Sequence, residues 1–439
     1  MTTERRRALI GVNAGILLAN TGSFIWFPVL VATLGGTGSG FWAGVVMCMT
    51  YIGRLLATFV YEGLAARLRV RGAVFLGTAV EAVALGLMGF TDGLPAYGIL
   101  AFFIGFGSGA SFPGLKNILV SFPDSERPKA FSTFQMCGQV GLFGGALLGG
   151  LMAGVDLRTL FTLVFAIFLV YCLVASSFIP RDGFTDPDRA EAPGKQPGKQ
   201  QAGRTRAPLF STAVLKGIEV RGATRYFLLS AVFWFLSISF VVGIPLHMQE
   251  FVDQWAPSAP FWITGLSVLV LQYPVFKFLI RHLRPGAVMA VGLTGMTAAF
   301  LAFGAGRTAP WVVVGCLVVV LGEILFVPSF DIWVARKVPE DRLAKAMGAM
   351  HFFRSAGNMI GSLLAGALFD LSRNAGVPGG NWYVTAAVAA VCAVICLLSR
   401  DEDNDSAVSV PDAAAATATA TAPEAAAEPV PQPANAASA

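Results

Sequence analysis

Long apolar runs dominate the chain. A helix needs about 20 apolar residues to cross a hydrocarbon core of about 30 Å. Twelve runs reach this length, and no soluble globular domain accommodates so many. We therefore predict twelve membrane-spanning helices, near 8–32, 41–61, 72–91, 95–121, 130–153, 158–179, 224–248, 258–280, 285–305, 309–334, 344–369 and 381–399.

The composition fits a membrane protein and argues against an enzyme. Of the 439 residues, 55% are hydrophobic and 13% are charged, whereas soluble domains carry about 25% charged residues. The six cysteines lie in apolar runs without C-x-x-C spacing, which is typical of reduced core residues. No phosphate-binding loop, catalytic triad or metal-ligand cluster is recognisable. We expect no enzymatic activity, cofactor, metal or nucleic-acid partner.

Basic residues fall on alternate sides of the predicted spans. One side receives 26 of the 31 Lys and Arg residues, including Arg5, Arg6 and Arg7 before the first helix. Positive charge favours the cytoplasmic side. We predict a multi-pass protein of the cell (inner) membrane with both termini and the central loop in the cytoplasm.

The distribution of polar residues divides the chain into four parts. We predict a six-helix bundle over 1–180, a flexible cytoplasmic linker over 181–223 rich in Pro, Gly and Lys, and a second six-helix bundle over 224–399. The tail at 400–439 has an acidic start followed by Ala, Thr and Pro, which predicts disorder.

An internal repeat relates the two bundles. The segment PDSERPKA at 123–130 resembles PEDRLAKA at 339–346, an offset of 216 residues. At the same offset, three glycines of the fifth helix match three of the eleventh. Within the fifth helix, Gly141, Gly145 and Gly149 recur every fourth residue, which favours close helix packing. The packing glycines are Gly141, Gly145, Gly149, Gly357 and Gly361.

Two motifs carry a resemblance to the major facilitator superfamily. The loop GLAARLRVR between the second and third helices matches the family pattern at Gly63, Arg67 and Arg71, but Ala66 stands for its acid and Arg69 for its second glycine. The fifth helix and the segment 322–328 look like the twelve-helix drug/proton antiporter branch. The resemblance implies an all-α fold of two six-helix pseudo-repeats, a substrate cavity between them, and the efflux activity of multidrug resistance antiporters.

Charged residues inside apolar spans are candidates for function, because each costs about 2.5–3.5 kcal/mol on insertion scales. Glu323 and Arg354 fall deep in the tenth and eleventh helices. We expect either that Glu323 binds a proton and Arg354 then changes its partner, or that the two residues form a static buried ion pair. Glu81 and Arg54 predict a structural pair or a second proton site. Asp331 predicts a cytoplasmic gating contact with Lys116 or Arg336, or simple solvation at a helix end.

Polar and aromatic residues on the cavity-lining helices are candidates for substrate contact. They favour a hydrophobic or amphiphilic substrate. We expect a monomer in the lipid bilayer that exports such a small molecule, coupled to protons, by alternating access. The alternatives are uptake or export of another small solute without proton coupling, and a membrane enzyme or receptor. The cavity candidates are Asn13, Asn20, Trp26, Gln135, Trp234, Gln272 and Tyr273.

Overall fold

The structure is a computed structural model that describes residues 2–36, 39–123, 125–152, 154–181, 224–252, 254–282, 285–337 and 340–398. The side chains of 224–226, 273, 276–282, 332–333, 335–337, 340–348 and 351 fall outside the description. The predicted linker beyond Arg181, the predicted tail and the side chain of Tyr273 therefore lie outside the described residues.

All regular secondary structure in the described ranges is helical. Eleven helices follow one another, each long enough to approach or exceed the thickness of a bilayer core. Their bounds are α1 Thr3–Gly36, α2 Gly40–Met88, α3 Leu94–Val120, α4 Arg127–Leu151, α5 Leu157–Phe178, α6 Thr224–Phe251, α7 Ala259–His282, α8 Pro285–Ala305, α9 Ala309–Lys337, α10 Glu340–Asn374 and α11 Gly380–Leu398.

Helix α2 contains two of the predicted spans. Its 49 residues are interrupted at Arg69, whose φ of 63° and ψ of 172° are not helical, and the arms 40–68 and 70–88 correspond to the second and third predicted spans. The prediction of twelve spans is therefore confirmed, although the second and third are continuous apart from this kink. Arg69 is the one non-glycine residue with positive φ in the described chain. It occupies the position of the family's second glycine, where a larger residue costs about 1–3 kcal/mol.

Among the described residues, nine helices are long and apolar enough to span a membrane, with α2 counted once. Helix α7 contributes a shorter apolar stretch, Ala259–Gln272. Helix α10 is less apolar than the others and contains Arg354. A low-hydropathy helix is expected where one face meets protein or water and not lipid.

The glycines of α4 let its backbone contact α1 directly. A Cβ at Gly141 would clash with the carbonyl oxygen of Leu17, and one at Gly145 would clash with that of Thr21. One turn further, a Cβ at Gly149 would lie 2.7 Å from the Ile25 carbonyl oxygen. The predicted groove is thus filled by a neighbouring helix.

The second half repeats this packing. On α10, a Cβ at Gly357 would clash with the carbonyl oxygen of Ala231, and one at Gly361 would lie 2.8 Å from that of Phe235. Both partners are on α6, which follows the linker as α1 follows the N-terminus. The matching contacts α1–α4 and α6–α10 show that the repeat read from sequence is a structural repeat of six spans.

The helices end at two opposite faces of the bundle, which we call the basic face and the opposite face. The basic face carries Arg5–Arg7 and the kink of α2, and is the predicted cytoplasmic side. The opposite face carries the end of α1 at Gly36, the start of α2 at Gly40 and the end of α10 at Asn374.

Candidate substrate site between the two halves

Three pairs of helices make most of the contact between the halves, which we call the seam. Helix α2 packs against α10, α4 packs against α7, and α1 packs against α6. Because each pair joins one helix from each half, relative movement of the halves must change these contacts. Side chains at the seam are therefore the candidates for substrate binding.

At the opposite face, Asp370 joins the halves. Its carboxylate accepts hydrogen bonds from the backbone N–H groups of Gly40 at 2.7 Å and Phe41 at 2.8 Å, and Ser39 Oγ lies 3.5 Å away. The carboxylate thus satisfies the free N–H groups at the start of α2. A Cβ at Gly366 would clash with the Gly40 carbonyl oxygen, so the two helix ends are in close contact.

A cluster of aromatic rings lies deeper on the same side. Phe24 and Phe27 of α1 each lie 5.7 Å, centroid to centroid, from Phe261 of α7, and Phe240 of α6 lies 6.3 Å from Phe261. Phe261 is only 2% exposed. The cluster therefore joins α1 of the first half to α6 and α7 of the second half.

Arg54 lies in the middle of the seam. It is 14 residues into α2, about 21 Å from the start of the helix at 1.5 Å per residue, yet its side chain is exposed. Its Nε and Nη2 donate to Ser108 Oγ of α3 at 3.3 and 3.2 Å, and its guanidinium lies 5.5 Å from the ring centre of Tyr51. A solvent-accessible arginine at this depth indicates a polar cavity.

Arg354 approaches the same region from the second half. Its guanidinium lies over the ring of Trp234, 3.4 Å from the ring centre. The charges of Arg54, Asp331 and Glu323 all act on it. The sequence-predicted residues Arg54, Trp234, Glu323, Asp331 and Arg354 therefore belong to one electrostatic cluster.

Within this cluster, the carboxylate of Glu323 is hydrogen-bonded and not ion-paired. Ser237 Oγ of α6 donates to Glu323 Oε1 at 2.6 Å. Among the described side chains, no direct ion pair links Glu323 to Arg354, so the structure does not contain the pair expected from sequence. Arg354 is stacked on Trp234 and remains close enough to respond to the charge on Glu323.

Helix α3 adds a stripe toward the basic face. Ser108, Phe112 and Lys116 are spaced by four residues and so share one side of the helix. The ammonium group of Lys116 lies 4.7 Å from the ring centre of Phe112. Asp331 and Arg354 act electrostatically on Lys116, which places the predicted contact between Lys116 and Asp331 within electrostatic range, without an ion pair.

Glu81 lies outside the seam. It is 4% exposed, and a Cβ on Gly107 of α3 would lie 2.8 Å from its Cβ. The expected pair with Arg54 is absent among the described residues, since Arg54 donates to Ser108. The position of Glu81 between α2 and α3 is in the interior of the first half.

The remaining cavity candidates divide into three groups. Asn20 and Trp26 brace the first half: Asn20 Nδ2 donates to the Gly138 carbonyl at 2.8 Å, and Trp26 is 3% exposed beside Phe161. Asn13 Oδ1 is buried without a hydrogen-bond partner in the described residues. Gln135 and Gln272 are exposed.

The motif at the basic face ties the kink of α2 to the end of α5. Arg71 Nε donates to the Ile179 carbonyl, and the Arg71 N–H donates to the Arg181 carbonyl at 3.4 Å. Gly63 is buried and Arg67 is exposed. The hydrogen bonds of Arg71 therefore stay within the first half and do not reach Asp331 of the second half.

Sequence reasoning missed four residues at the seam: Tyr51, Ser108, Ser237 and Asp370. Serine and tyrosine within apolar runs carry no pattern that distinguishes a cavity from a core. An aspartate near a helix end is ordinary, and no local pattern indicates that Asp370 caps a different helix from the other half.

Comparison with known proteins decides the family. The sequence pattern that defines the Major Facilitator Superfamily matches residues 9–362, with a second match over 255–423. The chain belongs to the major facilitator superfamily. It is a membrane transporter.

Individual relatives are distant but cover most of the chain. The "Uncharacterized MFS-type transporter YttB" of Bacillus subtilis (strain 168) is 24% identical over 83% of this chain and 89% of its own length. "Multidrug resistance protein MdtH" of Shigella dysenteriae serotype 1 is 22% identical over 83% and 87%. The crystal structure of the nucleoside transporter NupG covers 90% of this chain and 99% of its own, with a TM-score of 0.69 and 16% identity, a likeness of fold.

Proposed function

We propose that the chain is a secondary active transporter that exports hydrophobic or amphiphilic small molecules by alternating access, coupled to protons through Glu323. Its place is the cell membrane, as a monomer with both termini in the cytoplasm. The similarity to MdtH supports export, although at 22% identity. The cluster at the seam supports transport through the interface between the halves.

One observation carries the role of Glu323. A carboxyl group at the seam, hydrogen-bonded to Ser237 and within electrostatic range of Arg354, can bind and release a proton, whereas a guanidinium stays charged. Protonation removes a negative charge beside Arg354. Arg354 belongs to α10, which packs against α2 of the first half, so the change in charge beside Arg354 acts on a helix of the seam.

A second candidate function is cotransport, in which proton and solute cross in the same direction. It is favoured by the cationic character of the seam. Arg54, Lys116 and Arg354 outnumber the two carboxylates Glu323 and Asp331, so an anionic solute and a proton would be accommodated together. Exchange of a proton for a solute instead requires that the two compete.

The experiment is flux in proteoliposomes under an imposed pH gradient of either sign. Dyes of different charge, such as ethidium, Hoechst 33342 and fluorescein, serve as probes. We expect a gradient to drive the movement of at least one dye, and its direction relative to the proton distinguishes exchange from cotransport. The Glu323→Gln variant should retain dye binding and lose the response to pH.

Ser237→Ala is the matched control, because it removes the hydrogen bond and keeps the titratable group. It should shift the pH dependence without abolishing it. If Glu323→Gln responds to the gradient as the unmodified protein does, the proposed role of Glu323 is wrong. If no dye or drug in a broad panel moves, the proposal of amphiphile transport fails.

A further inference from the structure

Two arginines meet at the seam from opposite halves of the molecule. Arg54 belongs to α2 and Arg354 to α10, two helices that pack against each other across the seam. Each acts electrostatically on Tyr51, and Arg54 acts on Arg354. Two guanidinium groups of like charge are thus held within electrostatic range inside a membrane-spanning bundle.

Neither arginine is neutralised by a direct partner. In the described part of the chain, no carboxylate forms an ion pair with either guanidinium. Arg54 donates to the uncharged Ser108, and Arg354 lies over Trp234. Like charges repel more strongly in a medium of low dielectric constant than in water. Glu323 and Asp331 act on Arg354 without a direct ion pair and offset this repulsion only in part. Such an arrangement is expected where a ligand supplies further negative charge.

We propose that the transported molecule is an amphiphilic anion whose negative group lies between Arg54 and Arg354. A carboxylate, sulfonate or phosphate accepts paired hydrogen bonds from the planar fork of a guanidinium. The inference rests on the proposed function, since it assumes transport through this seam. It narrows the substrate class from hydrophobic or amphiphilic molecules to anionic ones.

The surroundings of the two arginines suit the apolar part of such a molecule. Trp234 presents a ring to the cluster from the second half, and Tyr51 and Phe112 present rings from the first. Lys116 adds a third cation on the side of the basic face. An anion with an aromatic body would thus contact both halves. A substrate must contact both halves if its binding is to stabilise the conformation in which the halves close around it.

The charge of the substrate also determines the sense of coupling. With Glu323 ionised, Arg54, Lys116 and Arg354 exceed Glu323 and Asp331 by one positive charge, and protonation of Glu323 raises the excess to two. Binding of an anion therefore strengthens when Glu323 binds a proton. On this inference the coupling is cotransport, the second candidate function, in place of the exchange by which entering protons would drive export.

The test compares probes of one shape and different charge. Isothermal titration of the purified full-length protein in detergent would use 2-naphthylacetate, its uncharged amide 2-naphthylacetamide, and 2-naphthylethylammonium. A hydrogen bond to a charged group is stronger than one to a neutral group, so we expect the carboxylate to bind at least about 10-fold more tightly than the amide. The ammonium probe should bind weakest.

Variants assign the effect to the arginine pair. Arg54→Gln, at an exposed side chain, should reduce the preference for the carboxylate to within about 3-fold, a loss of most of one charged hydrogen bond. Arg354→Lys should reduce the preference for the carboxylate only in part, because lysine keeps the positive charge but lacks the planar guanidinium that donates paired hydrogen bonds. Arg67→Gln, an exposed arginine outside the seam, should leave it unchanged. Thermal unfolding of each variant establishes that it is folded.

The outcomes separate this inference from the proposed function. Equal or weaker binding of the carboxylate than of the amide, absence of binding by all three probes, or an unchanged preference in folded Arg54→Gln would overturn the inference. In each case pH-driven movement of a cationic or uncharged dye in proteoliposomes would leave the proposed function standing. If the unmodified protein moved no dye in response to a pH gradient, the proposed function itself would be wrong.

Discussion

Replacing Asp370 by Asn is expected to loosen the contact between the halves at the opposite face. The carboxylate accepts from two N–H groups at 2.7 and 2.8 Å. Asn has one neutral acceptor oxygen in place of two charged ones. One of the two hydrogen bonds is therefore lost, and the remaining hydrogen bond is no longer to a charged group. Charged hydrogen bonds contribute about 1.5–3 kcal/mol and neutral ones about 0.5–1.5 kcal/mol.

The half-buried position of Asp370 reduces that difference, since water can replace part of the lost interaction. We therefore expect a net loss of about 1–2 kcal/mol from the state in which the opposite face is closed, or about 5–30-fold in the equilibrium between closed and open forms. Because the bonds join α2 to α10, the loss should change the separation of the halves.

The assay is the distance between spin labels on opposite halves. Val155→Cys and Val377→Cys place labels in exposed connections at the opposite face, where Val155 is 39% and Val377 53% exposed. Five of the six natural cysteines are buried, which limits background labelling. Double electron–electron resonance should show a larger population of long distances between the two labels in Asp370→Asn than in the protein with Asp370.

Asp156→Asn is the matched control. Asp156 also caps a helix at the opposite face, with its carboxylate accepting from the Thr159 N–H at 2.9 Å, but both residues lie in the first half. The control should leave the distances between the halves unchanged. An unaltered distance distribution in Asp370→Asn, or an equal shift in both variants, would refute the idea that the cap of α2 holds this face closed.

Three further predictions concern local structure. Gly145→Val should lower the midpoint of thermal unfolding, by overpacking worth about 1–3 kcal/mol. Gly144→Val should leave the midpoint nearly unchanged, because a Cβ placed at Gly144 would meet no neighbouring atom within 4 Å; equal effects of the two variants would contradict the packing. Arg69→Gly should raise the midpoint, because relief of backbone strain of about 1–3 kcal/mol exceeds the entropic cost of glycine of about 0.5–1 kcal/mol; a lower midpoint would show that contacts of the arginine matter more. Hydrogen bonds from Thr159 lower the pKa of the Asp156 carboxyl below its ordinary 3.8. The stabilisation of the folded protein by ionised Asp156 is therefore present above pH 3.8 and is lost as the pH falls through the lowered pKa. Asp156→Asn should destabilise the protein more at pH 7 than at pH 3, and a destabilisation that is independent of pH would contradict this.

The sequence was sufficient for those features that follow from solvent and from repetition. Apolar runs long enough for a bilayer have no alternative stable environment, so the twelve spans could be placed within a few residues. The glycines at 141 and 145, matched at 357 and 361, predicted close backbone contact, and the structure contains it in both halves. The kink at Arg69 could not be predicted, because an arginine gives no local indication of positive φ.

The contacts of the seam depended on information that a sequence pattern does not contain. Depth in a span identified Glu323 and Arg354 as unusual, but the partner of each is set by how three helices cross in space. Ser237 and Trp234 are both on α6, and they occupy the positions where a direct pair between the two charges was expected. The burial of Glu81 inside the first half likewise follows from the close contact of α2 and α3 at Gly107.

The most direct test of the central claim is a reversible cross-link between the halves. Ser39→Cys and Asp370→Cys replace side chains that lie 3.5 Å apart across the opposite face, and Asp156→Cys with Thr159→Cys is the control pair within one half. Alternating access requires the opposite face to open in each cycle. Oxidation of the first pair should stop the transport, in proteoliposomes, of the dye that the panel identifies, and a reductant should restore this transport. The protein with the control pair should transport the dye in both the oxidised and the reduced state. Full transport by the oxidised protein cross-linked across the seam would contradict the account.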